Sequence, residues 1–173
     1  TATIENTVEI TDGTEIIRSE LERLHKLYDL SACKDRFALK LVKAADDFIV
    51  FRKSTDAKTV IAGYPWFSDW GRDTMIALPG LTLATGRFDD AKQILYTFSR
   101  YIKDGLIPNM FPDEGRDPLY NSVDAALWYF EAVNKYLEYT GDYSFVENEI
   151  YPSLMSIIDS FITGTIFNIG MDS

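Results

Sequence analysis

Gly71-Arg72-Asp73-Thr74-Met75-Ile76-Ala77-Leu78-Pro79-Gly80-Leu81-Thr82-Leu83-Ala84-Thr85-Gly86-Arg87-Phe88 decides how the rest of the chain is read. No charge separates Asp73 from Arg87, so Met75, Ile76, Leu78, Leu81 and Leu83 lie on a helix expected to be buried on most sides. Pro79 has no backbone N–H to donate and should kink that helix. Thr85-Gly86 should stop it, glycine supplying a left-handed cap, and the next helix starts at an aromatic. Thr140-Gly141-Asp142-Tyr143 repeats that punctuation 55 residues after Thr85. A period of this size holds two helices and two loops, the unit of a helical-hairpin array.

Working outward, the helical period continues on both sides. Ile17, Leu21, Leu24 and Tyr28 share one face of a helix starting at Glu15, and Phe37, Leu41, Ala44, Ala45 and Phe48 share one over Asp35–Arg52. Ser54 to Lys58 reads as a polar turn, and Val60 to Trp70, broken by Gly63 and Pro65, as a structured loop. Further helices follow over Asp89–Lys103, Ser122–Tyr139 and Tyr143–Thr163, the last broken before Pro152. The stretch Leu106–Tyr120, with Pro108, Pro112, Gly115 and Pro118, reads as a long loop, and loops of that length in compact domains are often functional. Strand signals are confined to Thr1–Gly13 through Ile4, Val8 and Ile10, so the expected class is all-α.

Composition narrows the function. Seventeen basic against 27 acidic residues give a net charge of -10, which argues against a nucleic-acid or anionic-lipid partner. No apolar run approaches the roughly 18 residues of a membrane span. One cysteine (Cys33) and one histidine (His25) cannot build a His/Cys zinc site or an internal disulfide, and no metal or cofactor is expected.

Each long loop feeds a helix N-terminus. One brings Trp66, Asp69, Trp70, Arg72 and Asp73; the other brings Asn109, Asp113, Glu114, Asp117, Tyr120, Asn121 and then Asp124 and Trp128. All three tryptophans fall in these segments. The mixture suits a sugar, whose C–H face packs on aromatic rings while carboxylates, amides and arginine bond its hydroxyls. The same residues have a plainer reading. Asp69 and Asp73 fit as caps of one helix, Asp117, Asn121 or Ser122 as caps of another, and Asp124 as a first-turn carboxylate favoured by the helix dipole. Convergence of two such clusters on successive loops favours the sugar.

Gly63-Tyr64-Pro65-Trp66-Phe67-Ser68-Asp69-Trp70-Gly71-Arg72-Asp73-Thr74, with Ile76-Ala77-Leu78-Pro79-Gly80-Leu81, resembles the signature of the C-terminal, amylo-α-1,6-glucosidase domain of glycogen debranching enzymes. Gly105-Leu106-Ile107-Pro108-Asn109 and Tyr120-Asn121-Ser122-Val123-Asp124-Ala125-Ala126-Leu127-Trp128 continue the resemblance in the same order. It implies an (α/α)6 toroid of helical hairpins around a central pocket, shared with glucoamylases and trehalases. Residues 1–13 would then be a leading segment or linker, and 14–173 about half of such a toroid, lacking its C-terminal half.

The resemblance further implies an inverting hydrolase acting on α-1,6-linked branch glucose of glycogen or limit dextrin, cytoplasmic like the family's stored substrate. Arg72 and Asp73 match the pair that grips terminal glucose hydroxyls, with Trp66 and Trp70 as pocket walls and Asp69, Asn109, Tyr120, Asn121 and Trp128 as further binding residues. Asp124 matches the general acid, which must be protonated near neutral pH; burial beside Trp128 is the expected means. The general base, a late glutamate in the family with its carboxyl about 6.5–9.5 Å from the acid, has no match in this chain. Alone, the chain is therefore expected to be inactive and to self-associate through the face left uncovered. Two other readings stand beside this one: a glucoamylase- or trehalase-like toroid, and a non-catalytic helical scaffold that binds glycan.

Overall fold

The computed structural model of the chain describes residues 12–32, 34–64, 66–112 and 117–170. Readings that fall on the leading strand, Cys33, Pro65, Asp113 or Glu114 lie outside them. The chain is mostly helical. Helix α1 spans Gly13–Leu30, its first turn capped by the Asp12 carboxylate, which accepts from the Thr14 N–H at 3.0 Å. Helix α2 spans Arg36–Asp46, with Asp35 accepting from the N–H groups of Phe37 and Ala38. Both starts follow the preference for a short acidic side chain that satisfies orphan N–H groups.

Helix α2 ends six residues before the expected Arg52. Strands β1 (Ile49–Arg52) and β2 (Ala57–Val60) instead pair antiparallel, with Ile49 opposite Val60 and Arg52 opposite Ala57. The helical class stands, but the expectation that strands are confined to the leading segment is corrected by this hairpin. Ile49, Val50 and Phe51 on one side and Thr59 and Val60 on the other are the β-branched and aromatic residues that favour a pleated, half-buried surface. Asp56, at φ 50°, lets the chain reverse between them.

Helix α3 (Gly71–Leu78) runs into a π-helical turn over Pro79–Leu83. The missing proline N–H is absorbed as a wide turn, a recognised relief for an interrupted helical ladder. Gly86 closes it at φ 78°, pressed so tightly against the Leu30 carbonyl that a Cβ would collide. Helix α4 (Phe88–Ser99) follows, then the long loop, then α5 (Asp124–Thr140). Gly141 repeats the left-handed stop at φ 64° before the short α6 (Tyr143–Phe145), a second π-turn over Val146–Ile150, and α7 (Tyr151–Thr163).

The core forms where α3, α4 and α5 meet. Met75, Leu78, Ile94, Leu95, Phe98, Ala125, Ala126, Tyr129 and Ala132 are all buried there, joined by Phe145, Ile150 and Ile157 from the last hairpin. Tyr129 donates its hydroxyl to the Leu95 carbonyl at 2.9 Å, so the largest fully buried side chain has its polar atom satisfied. A buried charge network fastens α2 to this core. Asp46 accepts from Arg23 of α1 and, at 2.6 Å, from Arg87, which also donates to Asp90 of α4. Among the described residues no helix is long and apolar enough to cross a membrane.

Candidate active site

The start of α3 and the start of α5 lie side by side, and the long loop stitches them together. Gly71 donates its N–H to the Asn109 carbonyl at 2.8 Å, and Asn109 donates its own to Leu119 at 2.7 Å. Met110 bridges both Trp70 and Leu119. A Cβ on Gly71 would collide with the Pro108 carbonyl, so only glycine lets the loop come this close. The buried Asn109 side chain then donates to Asn121 Oδ1 at 3.0 Å.

On that frame Arg72 reaches across to Asp124. Its Nε and Nη2 donate to Asp124 Oδ1 at 2.9 and 2.7 Å, and Ser122 Oγ donates to the same oxygen at 2.7 Å. Ser122 in turn accepts from Arg72 Nη2 at 3.2 Å. Ser122 is buried, whereas the side chains of Arg72 and Asp124 are 48% and 46% exposed. The Arg72 guanidinium, and then the Ser122 hydroxyl, hold the Asp124 carboxyl below the usual carboxylate range. That corrects the expectation of an acid kept protonated by burial. The carboxyl is half in solvent, and its dominant neighbour is a cation that favours the ionised form.

The remaining expected site residues divide. Trp66 is 86% exposed and Trp128, one turn beyond Asp124, is 40% exposed, so both rings are open to a ligand. Asp73, about 100° round α3 from Arg72, still acts on its charge. It lines a groove of about 310 Å³ with Phe48, Val60, Ile61 and Ile76. Tyr120 spends its hydroxyl internally, donating to the Tyr101 carbonyl at 2.7 Å, and partial burial raises its pKa. Asp69 is buried, ion-paired with Arg52 and accepting from Thr59 Oγ1 at 3.1 Å; Arg52 itself lies 3.7 Å from the centre of the Phe111 ring. The Asp69 carboxylate is committed to holding the β-hairpin against the loop.

Of the plainer readings, Asp124 does stand in the first turn of α5, and Asp73 in that of α3. Neither helix, α3 beginning after Trp70 and α5 after Val123, is capped by a side chain. Ser122, which the sequence offers as a cap, turns its hydroxyl to the Asp124 side chain instead. The signal for that role is a hydroxyl two residues before a first-turn carboxylate, a local pattern shared with ordinary turns.

Residues 43–173 match the family model described as amylo-alpha-1,6-glucosidase. The chain belongs to that family. The glycogen debranching enzyme of Saccharomyces cerevisiae is 39% identical over 109 residues, which make up 60% of this chain and 7% of the yeast protein. The chain thus spans a small part of the length of that relative. The match to the amylo-alpha-1,6-glucosidase family takes in the β-hairpin, α3, the long loop and α5, and so every residue of the Arg72–Ser122–Asp124 cluster.

Proposed function

We propose that this chain supplies the sugar-gripping and acid-bearing part of an amylo-α-1,6-glucosidase site, built on an (α/α)6 toroid, that removes branch glucose from α-glucan. The observation that carries the reading is the joining of Arg72 and Asp124 across two helix starts, within the stretch that matches the family. An arginine fork and a carboxylate on one open surface offer donors and an acceptor, and the exposed rings of Trp66 and of Trp128, one turn beyond Asp124, are available for stacking.

In this mechanism Asp124 gives a proton to the glycosidic oxygen as the C1–O bond breaks with its electron pair leaving on that oxygen. Water attacks C1 from the opposite face, and a general base outside this chain takes its proton, inverting the anomeric centre. Arg72, Asp73 and Asn121 fix the sugar hydroxyls, with the buried Asn109 holding Asn121 in place, and no cofactor takes part. The chain by itself lacks the base and is inactive. Exposed apolar residues on α1 and α2 (Ile17, Leu21, Phe37, Leu41) support self-association of the isolated chain. The location is proposed to be cytoplasmic, following the substrate.

A second reading draws on the ionised state of Asp124: an arginine–carboxylate pair that binds glycan without cleaving it. Glucose release by the full-length enzyme carrying this chain, assayed on limit dextrin, maltose and trehalose, tests the proposal. Release from limit dextrin with little from the other two is expected. Cleavage of trehalose alone contradicts the debranching reading, and release from none of them favours the binding scaffold.

A further inference from the structure

Asp124 presents a problem to the glycosidase reading: the carboxyl that must donate a proton accepts hydrogen bonds from Arg72 and Ser122, which favour its ionised form. The geometry shows what holds it. Among the described residues, the side-chain donors to the carboxylate converge on one oxygen, Oδ1, two from Arg72 and one from Ser122. Ser122 ties the two partners together. It is buried, it accepts from the same Arg72 nitrogen that bonds Asp124, and it donates to the same Asp124 oxygen. One hydroxyl has a proton and lone pairs enough to do both at once.

Arg72 and Asp124, by contrast, are each about half exposed. Exposed ion pairs are worth little, so a ligand with hydroxyls of its own can compete for the guanidinium. Ser122, in the buried corner, cannot be reached in that way. Among the described residues, the charge that acts on Asp124 is Arg72 of α3; Asp73, next on that helix, acts on Arg72, and Ser122, just before α5, is neutral.

We infer, building on the glycosidase reading, that Ser122 is a positioning residue that locks Arg72 onto Asp124 in the free site, and that a sugar hydroxyl drawing Arg72 away opens the lock, so that Asp124 takes up from solvent the proton it later donates. Binding of substrate and charging of the acid are then one event. The unliganded site stays in the ionised, hydrogen-bonded form, and Ser122 keeps Oδ1 in place when the arginine leaves.

The side-chain carboxyl of Asp124 can be followed by carbon NMR in the isotope-labelled full-length enzyme carrying this chain as pH is varied, with isomaltose as the sugar probe and the tryptophan indole resonances reporting binding. Without sugar, Ser122→Ala should raise the Asp124 midpoint by about half a unit to one unit, as expected for loss of one hydrogen bond to an ionised carboxylate. Ser122→Thr, which restores the hydroxyl, should bring it back. Saturating isomaltose should raise the wild-type midpoint well above the ordinary carboxylate value, so that much of Asp124 is protonated near neutral pH. A midpoint unchanged in Ser122→Ala overturns the lock. Indole shifts with isomaltose and an unmoved Asp124 midpoint overturn its opening by sugar. If isomaltose produces no indole shift, the glycosidase reading and the opening step both fail, while the sugar-free titration still decides the role of Ser122.

Discussion

At the scale of single residues, the three donors on Asp124 Oδ1 set what substitution should do. Removing the guanidinium with Arg72→Ala frees the carboxyl to titrate nearer the ordinary value of about 4. It also removes the donor fork meant for sugar, so affinity for isomaltose should fall about tenfold, the loss of roughly one net charged hydrogen bond. Calorimetric titration of wild type and variant checks the second effect. Part of this is legible in the sequence. Arg72, Asp124, Trp66 and Trp128 are expected at the site because aromatic and charged residues cluster at two helix starts. The partner of Arg72 is not legible. Consecutive residues on a helix point about 100° apart, so Arg72 does not turn to its neighbour Asp73 and finds a carboxylate 52 residues away. Asp69 illustrates the reverse error. It stands between two tryptophans, as a sugar-binding residue would, yet is buried against Arg52, a pairing that depends on a hairpin whose apolar pattern imitates helix and turn.

Whole elements are placed by glycine contacts and by the buried charges. Gly71→Ala would push a methyl group into the Pro108 carbonyl, and the strain should cost about 1–3 kcal/mol in urea unfolding. It should also shift α3 relative to the loop that carries Asn109. Asp46 binds α1, α2 and the start of α4 into one body. Burial alone would push its carboxyl up, but hydrogen bonds from Arg23 and Arg87 outweigh that and hold it below its ordinary value. Its contribution to stability is therefore full above about pH 4 and is lost as pH falls through the lowered folded value. Asp46→Asn should destabilise by about 2 kcal/mol at pH 7, and the gap to wild type should close as urea unfolding is repeated toward pH 3. The helices and their stops are legible because Thr85-Gly86 and Thr140-Gly141 carry their own conformational signal, and both glycines take the left-handed form. Pro79 announces a kink, though not that the kink is a π-turn. The hairpin is hidden because Phe48 prolongs the apolar stripe of α2, and the few β-branched residues beyond it are too short a run to outweigh that period.

For the molecule as a whole, the uneven distribution of apolar surface is the informative feature. α3, α4 and α5 meet in a closely buried core, while Ile17, Leu21, Phe37 and Leu41 of α1 and α2 are more than half exposed. Light scattering of the isolated chain should accordingly show association that grows with concentration, and a monomer at all concentrations would speak against it. Function at this scale turns on whether Asp124 is the acid of a debranching glucosidase. The most direct test is glucose release from limit dextrin by the full-length enzyme with Asp124→Asn, alongside isomaltose binding to show that the site is intact. Release should fall by about 10²–10⁴-fold, the usual contribution of a general acid, with binding retained. Release at the wild-type rate would contradict that role.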